Sequence, residues 1–117
     1  RNKEYVVKTT GINSALKLYL IQSIDRKLPL PDIALAKGMS MDALLTEAET
    51  IVYSGTKLNI NYWLDEVFDE DQQKELNDYF LDSETDDVNA AINEFDGEYE
   101  EDEIRLYRLK FLSEVAN

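Results

Sequence analysis

Four stretches of this 117-residue chain carry side chains of the kinds that do chemistry. Ser54-Gly55-Thr56-Lys57 has the letters of a phosphate-binding loop. The working motif needs two glycines bracketing four residues ahead of Lys and Ser/Thr, so that backbone amides can surround phosphate. Glycines stand only at 11, 38, 55 and 97, and none pairs at that spacing. A second stretch, 92–103, has calcium-loop spacing, with Glu94 third, Asp96 fifth, Gly97 sixth and Glu103 twelfth. Its first ligand position is Ile92, so a primary carboxylate is missing. The adjacent acids Asp65/Glu66 and Asp86/Asp87 have the composition of acid–base pairs. In a chain with 25 Asp and Glu, chance adjacency on solvated helix faces explains them better. The fourth group is cationic: Arg26, Lys27, Lys37 and Lys57, with Lys8 and Lys17 as further neighbours. These four are the candidate nucleic-acid-binding residues, through phosphate contacts.

The chain has no Cys and no His. That excludes thiol catalysis, disulfides, Cys/His zinc sites and serine–histidine hydrolysis. No catalytic residue, cofactor site or metal site is therefore expected in this sequence. No apolar run nears the roughly 20 residues that span a membrane, and no signal peptide is visible. The chain opens on Arg1 rather than Met, as expected of a piece of a longer protein.

The net charge is −13, and it is unevenly placed. Residues 1–57 carry a balance of +2, and residues 58–117 a balance of −15. Such asymmetry speaks of partners rather than fold. The back half should repel nucleic acid, so any attraction must come from the front.

The elements that position these groups read as helices. Residues 1–13 look like an extended lead-in, with β-favouring Tyr5-Val6-Val7 broken by Thr9-Thr10-Gly11. Asn13 or Ser14 can cap a helix running to about Asp25, with Leu16, Leu20, Ile21 and Ile24 inward. Residues 30–55 have the outline of a helix-turn-helix. Pro31 suits a first helical position, and Asp32 complements the dipole. Ile33, Ala34 and Ala36 give a small apolar face, and Gly38 ends the helix. Ser40 is a natural N-cap for the second helix. Met41, Leu44, Leu45, Ala48, Ile51 and Val52 form its stripe. The opposite face is Asp42, Ala43, Thr46, Glu47, Glu49, Thr50 and Tyr53. Bases are read mostly by Arg, Lys, Asn or Gln, and none occurs between Met39 and Thr56. This helix therefore reads as scaffold.

Residues 56–60 alternate like a short extended link. Asn61 can cap a helix bearing Tyr62, Trp63, Leu64, Val67 and Phe68. Asp69 can cap the next, with Leu76, Tyr79 and Phe80 on one side. Ser83 or Thr85 can start another, with Val88, Ala91, Ile92 and Phe95, ended by Gly97. The last helix runs from about Glu101 to Val115, with Ile104, Tyr107, Phe111, Leu112 and Val115 as its stripe. Leu106 and Leu109 lie on a second face, so two neighbours should pack it. Arg108 falls near the stripe, where it should pair with a carboxylate or snorkel. The expected fold is all-α, a compact bundle of six to seven short helices. Short extended segments are placed near 5–8 and 56–60. Residues 14–117 read as one domain, 14–57 its helix-turn-helix half and 58–117 its acidic half.

Four runs carry a resemblance. Ile21-Gln-Ser-Ile-Asp-Arg-Lys-Leu-Pro-Leu30, Asp32-Ile-Ala with Lys37-Gly38, Ile51-Val-Tyr-Ser-Gly-Thr-Lys-Leu-Asn-Ile60 and the ending Glu103-Ile-Arg-Leu-Tyr-Arg-Leu-Lys-Phe-Leu-Ser-Glu-Val-Ala-Asn117 are similar to the extreme C-terminal region of RecQ-type ATP-dependent DNA helicases of the Bacteroidetes kind. The resemblance implies a bacterial, cytoplasmic, nucleoid-associated parent enzyme that unwinds DNA 3′→5′ in repair and recombination. It implies that ATP, Mg²⁺ and zinc belong to earlier parts of that parent and not to this fragment. Two functions follow as expectations. One is a non-catalytic accessory domain that assists DNA engagement. The alternative is an acidic docking or autoregulatory module, set against the helicase core or a basic protein partner, that does not bind DNA itself.

Overall fold

A computed structural model describes the backbone of residues 2–115 and the side chains of residues 14–115. The chain is all-α. Its described residues form seven helices: α1 (Asn2–Asp25), α2 (Leu30–Ala36), α3 (Met41–Tyr53), α4 (Asn61–Val67), α5 (Glu70–Asp82), α6 (Val88–Phe95) and α7 (Glu101–Val115). α1 replaces the expected extended lead-in and passes through residues 5–8 without a break. The β preference of Tyr5, Val6 and Val7 is worth only tenths of a kcal/mol per residue, about what β-branched and aromatic residues give up in a helix. Asn13 and Ser14 consequently lie inside α1 and not at its start.

The turn chemistry fixes most other boundaries. Ser40 Oγ accepts the Ala43 amide at 3.0 Å and caps α3. Gly38 ends the α2 unit at φ +65°, a left-handed conformation that suits glycine. Asp69 and Gln72 exchange side-chain-to-backbone bonds of 2.8 and 2.9 Å, a capping box on α5. Two caps differ from expectation. Asn61 is the first residue of α4, and its amide donates to Asn59 Oδ1 at 3.3 Å. Asp87, not Ser83 or Thr85, caps α6, taking the Ala90 amide at 3.2 Å. Ser83 and Thr85 bond within the preceding turn instead, because short hydroxyl side chains compete for local backbone groups.

Residues 56–60 belong to no helix and pair in no strand. Their alternation is nonetheless real: Leu58 and Ile60 are buried while Lys57 and Asn59 face outward. Ser113 Oγ on α7 accepts the Leu58 amide at 3.0 Å and holds the link in place.

α7 organises the core. It packs against α3, α4, α5 and α6, and every residue from 104 to 109 is buried. A helix enclosed on that many sides buries the second face along with the stripe. Val115, expected in the stripe, lies beyond the last packed turn and is 57 % exposed. Ala36 is likewise exposed, so the small face of α2 consists of Leu30, Ile33 and Ala34. Phe68, Phe80, Tyr99 and Tyr107 meet edge-to-face or stacked at centroid distances of 6.0–6.4 Å, a geometry that adds to plain burial.

Three tyrosines, Tyr99 and Tyr107 in this core and Tyr62 packed against it, make stability depend on alkaline pH. Burial raises the pKa of Tyr62, Tyr99 and Tyr107 above the ordinary 10.0. Tyr99 is raised further by its 2.6 Å bond to the Glu75 carboxylate. Above pH ~10 the unfolded chain loses these protons while the folded chain keeps them. The unfolded state then binds fewer protons, so stability falls as pH rises. Urea midpoints should hold steady below pH ~10 and drop above it, and Tyr99→Phe should soften the drop. A flat profile through that range would contradict the assignment.

Candidate functional site: the helix-turn-helix and its cations

The polar face of α3 is occupied from inside the molecule. Arg105 is 7 % exposed and reaches across from α7. Its Nη1 lies 2.6 Å from Asp42 Oδ1. Its Nε and Nη2 each donate at 3.2 Å to the two oxygens of Glu49, and Nη2 also bonds Thr46 Oγ1 at 3.1 Å. This forked pairing is the strong form of an Arg–carboxylate contact. Burial works against the guanidinium's charge, but Glu49 and Asp42 outweigh it, and the pKa of Arg105 is raised. One turn on, Arg108 donates to Tyr53 Oη at 2.8 Å and to the Asp86 carbonyl. It also stands 3.6 Å from the Asp86 carboxylate and 3.9 Å from Glu49. So Arg108 pairs with carboxylates, as its position suggested.

This arrangement revises the reading of that face. Asp42, Thr46, Thr50 and Tyr53 are exposed, but the Glu49 side chain is only 18 % exposed. Arg105 was not foreseen. The available signal was two arginines three residues apart in an otherwise apolar run, within a half that holds four cations in all. A recognition helix presents its N-terminal residues to the major groove. Here those residues are bonded to α7, and they offer carboxylates.

The candidate cations sit elsewhere. Arg26 and Lys27 are exposed at the end of α1. Lys27 adopts φ +60°, a left-handed conformation that costs a non-glycine residue about 1 kcal/mol. It lines a recess with Asn59, Tyr62 and two acids, Asp25 and Asp65. Lys57 shares the outward face of the link with Asn59. Lys37 follows α2 and lies 4.6 Å over the Tyr19 ring, while Tyr19 Oη donates to the Ile33 carbonyl at 3.0 Å. Lys17 Nζ is 3.5 Å from Ser54 Oγ at the end of α3. The structure thus links Lys27 to the 57–59 side through Asn59, and Lys37 to α1 through Tyr19. Lys8 falls outside the described side chains.

The segment from the second half of α1 through the glycine turn and amphipathic α3 has a counterpart among known families. Residues 14–64 match the family described as RecQ-1-like, helix-turn-helix domain. No curated protein matches the chain. The RecQ-1-like segment takes in α2, α3, the link and part of α4, and it contains all four candidate cations. It ends before α5, so Arg105 and Arg108 lie outside it. In the calcium-spaced stretch 92–103, the first and last positions have local roles. Ile92 is helical, and Glu103 uses Oε1 to accept the Glu100 amide at 2.8 Å. Among the described residues no three acids converge to hold a metal ion. No helix among them is long and apolar enough to cross a membrane.

Proposed function

We propose that this chain is a non-catalytic accessory domain of a RecQ-type ATP-dependent DNA helicase of a bacterial, nucleoid-associated kind. In this reading it assists DNA engagement through phosphate contacts from Arg26, Lys27, Lys37 and Lys57. α3 serves as scaffold and reads no bases. The observation that carries the reading is the placement of the cations: Arg26, Lys27, Lys37 and Lys57 are all exposed and all lie within the matched segment 14–64, whereas the polar face of α3 is tied to Arg105. The RecQ-1-like match over residues 14–64 supports the assignment to a RecQ-related accessory domain.

The test is fluorescence anisotropy of the chain with duplex, forked and single-stranded DNA over a salt series. Binding should be weak and steeply salt-dependent, with a slope of no more than about four, since each phosphate neutralised contributes about 0.9. The combined change Arg26→Glu, Lys27→Glu, Lys37→Glu should abolish it. Lys27→Gly should raise stability by about 1 kcal/mol and weaken DNA binding at the same time. Undiminished binding by the triple variant would sink the assignment of this face.

A further inference from the structure

On the side of the fold where α2, α3, α4 and α7 meet, an apolar recess of about 140 Å³ opens to solvent. Met41, Trp63, Val67 and Leu106 form its walls, and Asp102 and Glu103 stand at its edge. The volume is close to the roughly 150 Å³ of an engineered apolar cavity that accepts benzene. It is too small for a drug-sized ligand, whose pockets run to about 300 Å³ or more. It suits one aliphatic or aromatic side chain.

The charges around it select what carries that side chain. Both charged residues of the lining are acids, and Lys and Arg are absent from it. The chain as a whole stands at −13. Such a rim repels nucleic acid and acidic protein and attracts cations. An apolar anchor seated in a pocket within a charged rim is the pattern of a protein-binding hot spot.

From this we infer that the recess docks a basic segment of a protein partner, with one leucine- or phenylalanine-sized side chain inserted beside Trp63 and flanking Lys or Arg over Asp102 and Glu103. This surface is separate from the cations assigned to DNA, and its test involves no DNA.

Trp63 is the only tryptophan of the chain, so its emission reports the recess directly. The probe is an alanine-based peptide bearing one leucine flanked on both sides by lysines, titrated into the intact chain. A saturable change in Trp63 emission is expected. Replacing the probe's leucine by serine should weaken binding about tenfold or more, the worth of burying that side chain. Asp102→Lys, an exposed change checked for folding by circular dichroism, should weaken it several-fold and steepen with falling salt. Val67→Asp, checked the same way, should abolish it. No response to the lysine-flanked probe would overturn the inference. So would equal response to a glutamate-flanked probe, which would make the recess indifferent to charge. An emission change that depends on the concentration of the chain alone would assign the recess to a second copy and overturn the partner.

Discussion

Arg105→Ala should lower the stability of this domain by about 3 kcal/mol, the lower end of what breaking a buried ion pair costs. The lower end applies because one acceptor, Asp42, keeps 78 % of its side chain exposed and stays solvated. Glu49 is the costly orphan. It is mostly buried, and after the change its nearest remaining cation is Arg108 at 3.9 Å. At roughly 4 °C per kcal/mol for a domain of this size, the melting midpoint should fall by about 12 °C. Thermal circular dichroism checks the size of the loss. Arg105→Lys should recover part of it, since an ammonium restores the charge but not the fork. Asp42→Asn should cost under about 1 kcal/mol, as exposed pairs do. If Arg105→Ala cost no more than Asp42→Asn, the network would be ornamental and α3 would be available to another partner.

The second large effect concerns the RecQ-1-like segment by itself. A chain restricted to residues 14–64 should show no cooperative melting transition. α3 is the centre of that segment, yet its principal neighbour is α7. Without α7, the apolar stripe at Leu44, Leu45, Ala48, Ile51 and Val52 loses part of its cover, and Glu49 loses both arginines. Leu64, now fully buried, would sit at the exposed end of a helix that packs on α7. A domain near 50 residues is already marginal because it buries a smaller share of its surface. Adding residues 65–117 as a separate chain should restore helicity if the two pieces assemble. A sharp, reversible transition in the short piece alone would show that its own core suffices.

The parts of this fold that were legible in the sequence are those set by local rules. Pro31, Gly38, Ser40 and Asp69 act on groups within a few residues of themselves; Gly38, Ser40 and Asp69 mark their boundaries, and Pro31 falls one residue inside a helix that starts at Leu30. The stripe of α3 follows from a period of 3.6 residues and needs no knowledge of what covers it. What escaped was decided at a distance. Arg105 is buried because Asp42 and Glu49, 63 and 56 residues earlier, come to lie against it. No period within α7 distinguishes it from an exposed arginine. The start of α1 escaped for the opposite reason: local propensities at Tyr5, Val6 and Val7 differ too little to outweigh a continuing helix. Of the candidate site, exposure of the four cations was readable, but the left-handed backbone at Lys27 was not. It arises as α1 closes on the Leu28 amide, which donates to the Ser23 carbonyl at 3.2 Å.

The bond between the Leu58 amide and Ser113 Oγ has a bearing on time rather than on energy. Leu58 belongs to no helix, and amides of such links normally exchange with solvent quickly. Here the acceptor sits on α7, 55 residues further along the chain. The proton can leave only when the link lifts from α7. Its exchange therefore reports the detachment of the link from α7, and a segment that looks like a connector carries a clock of its own.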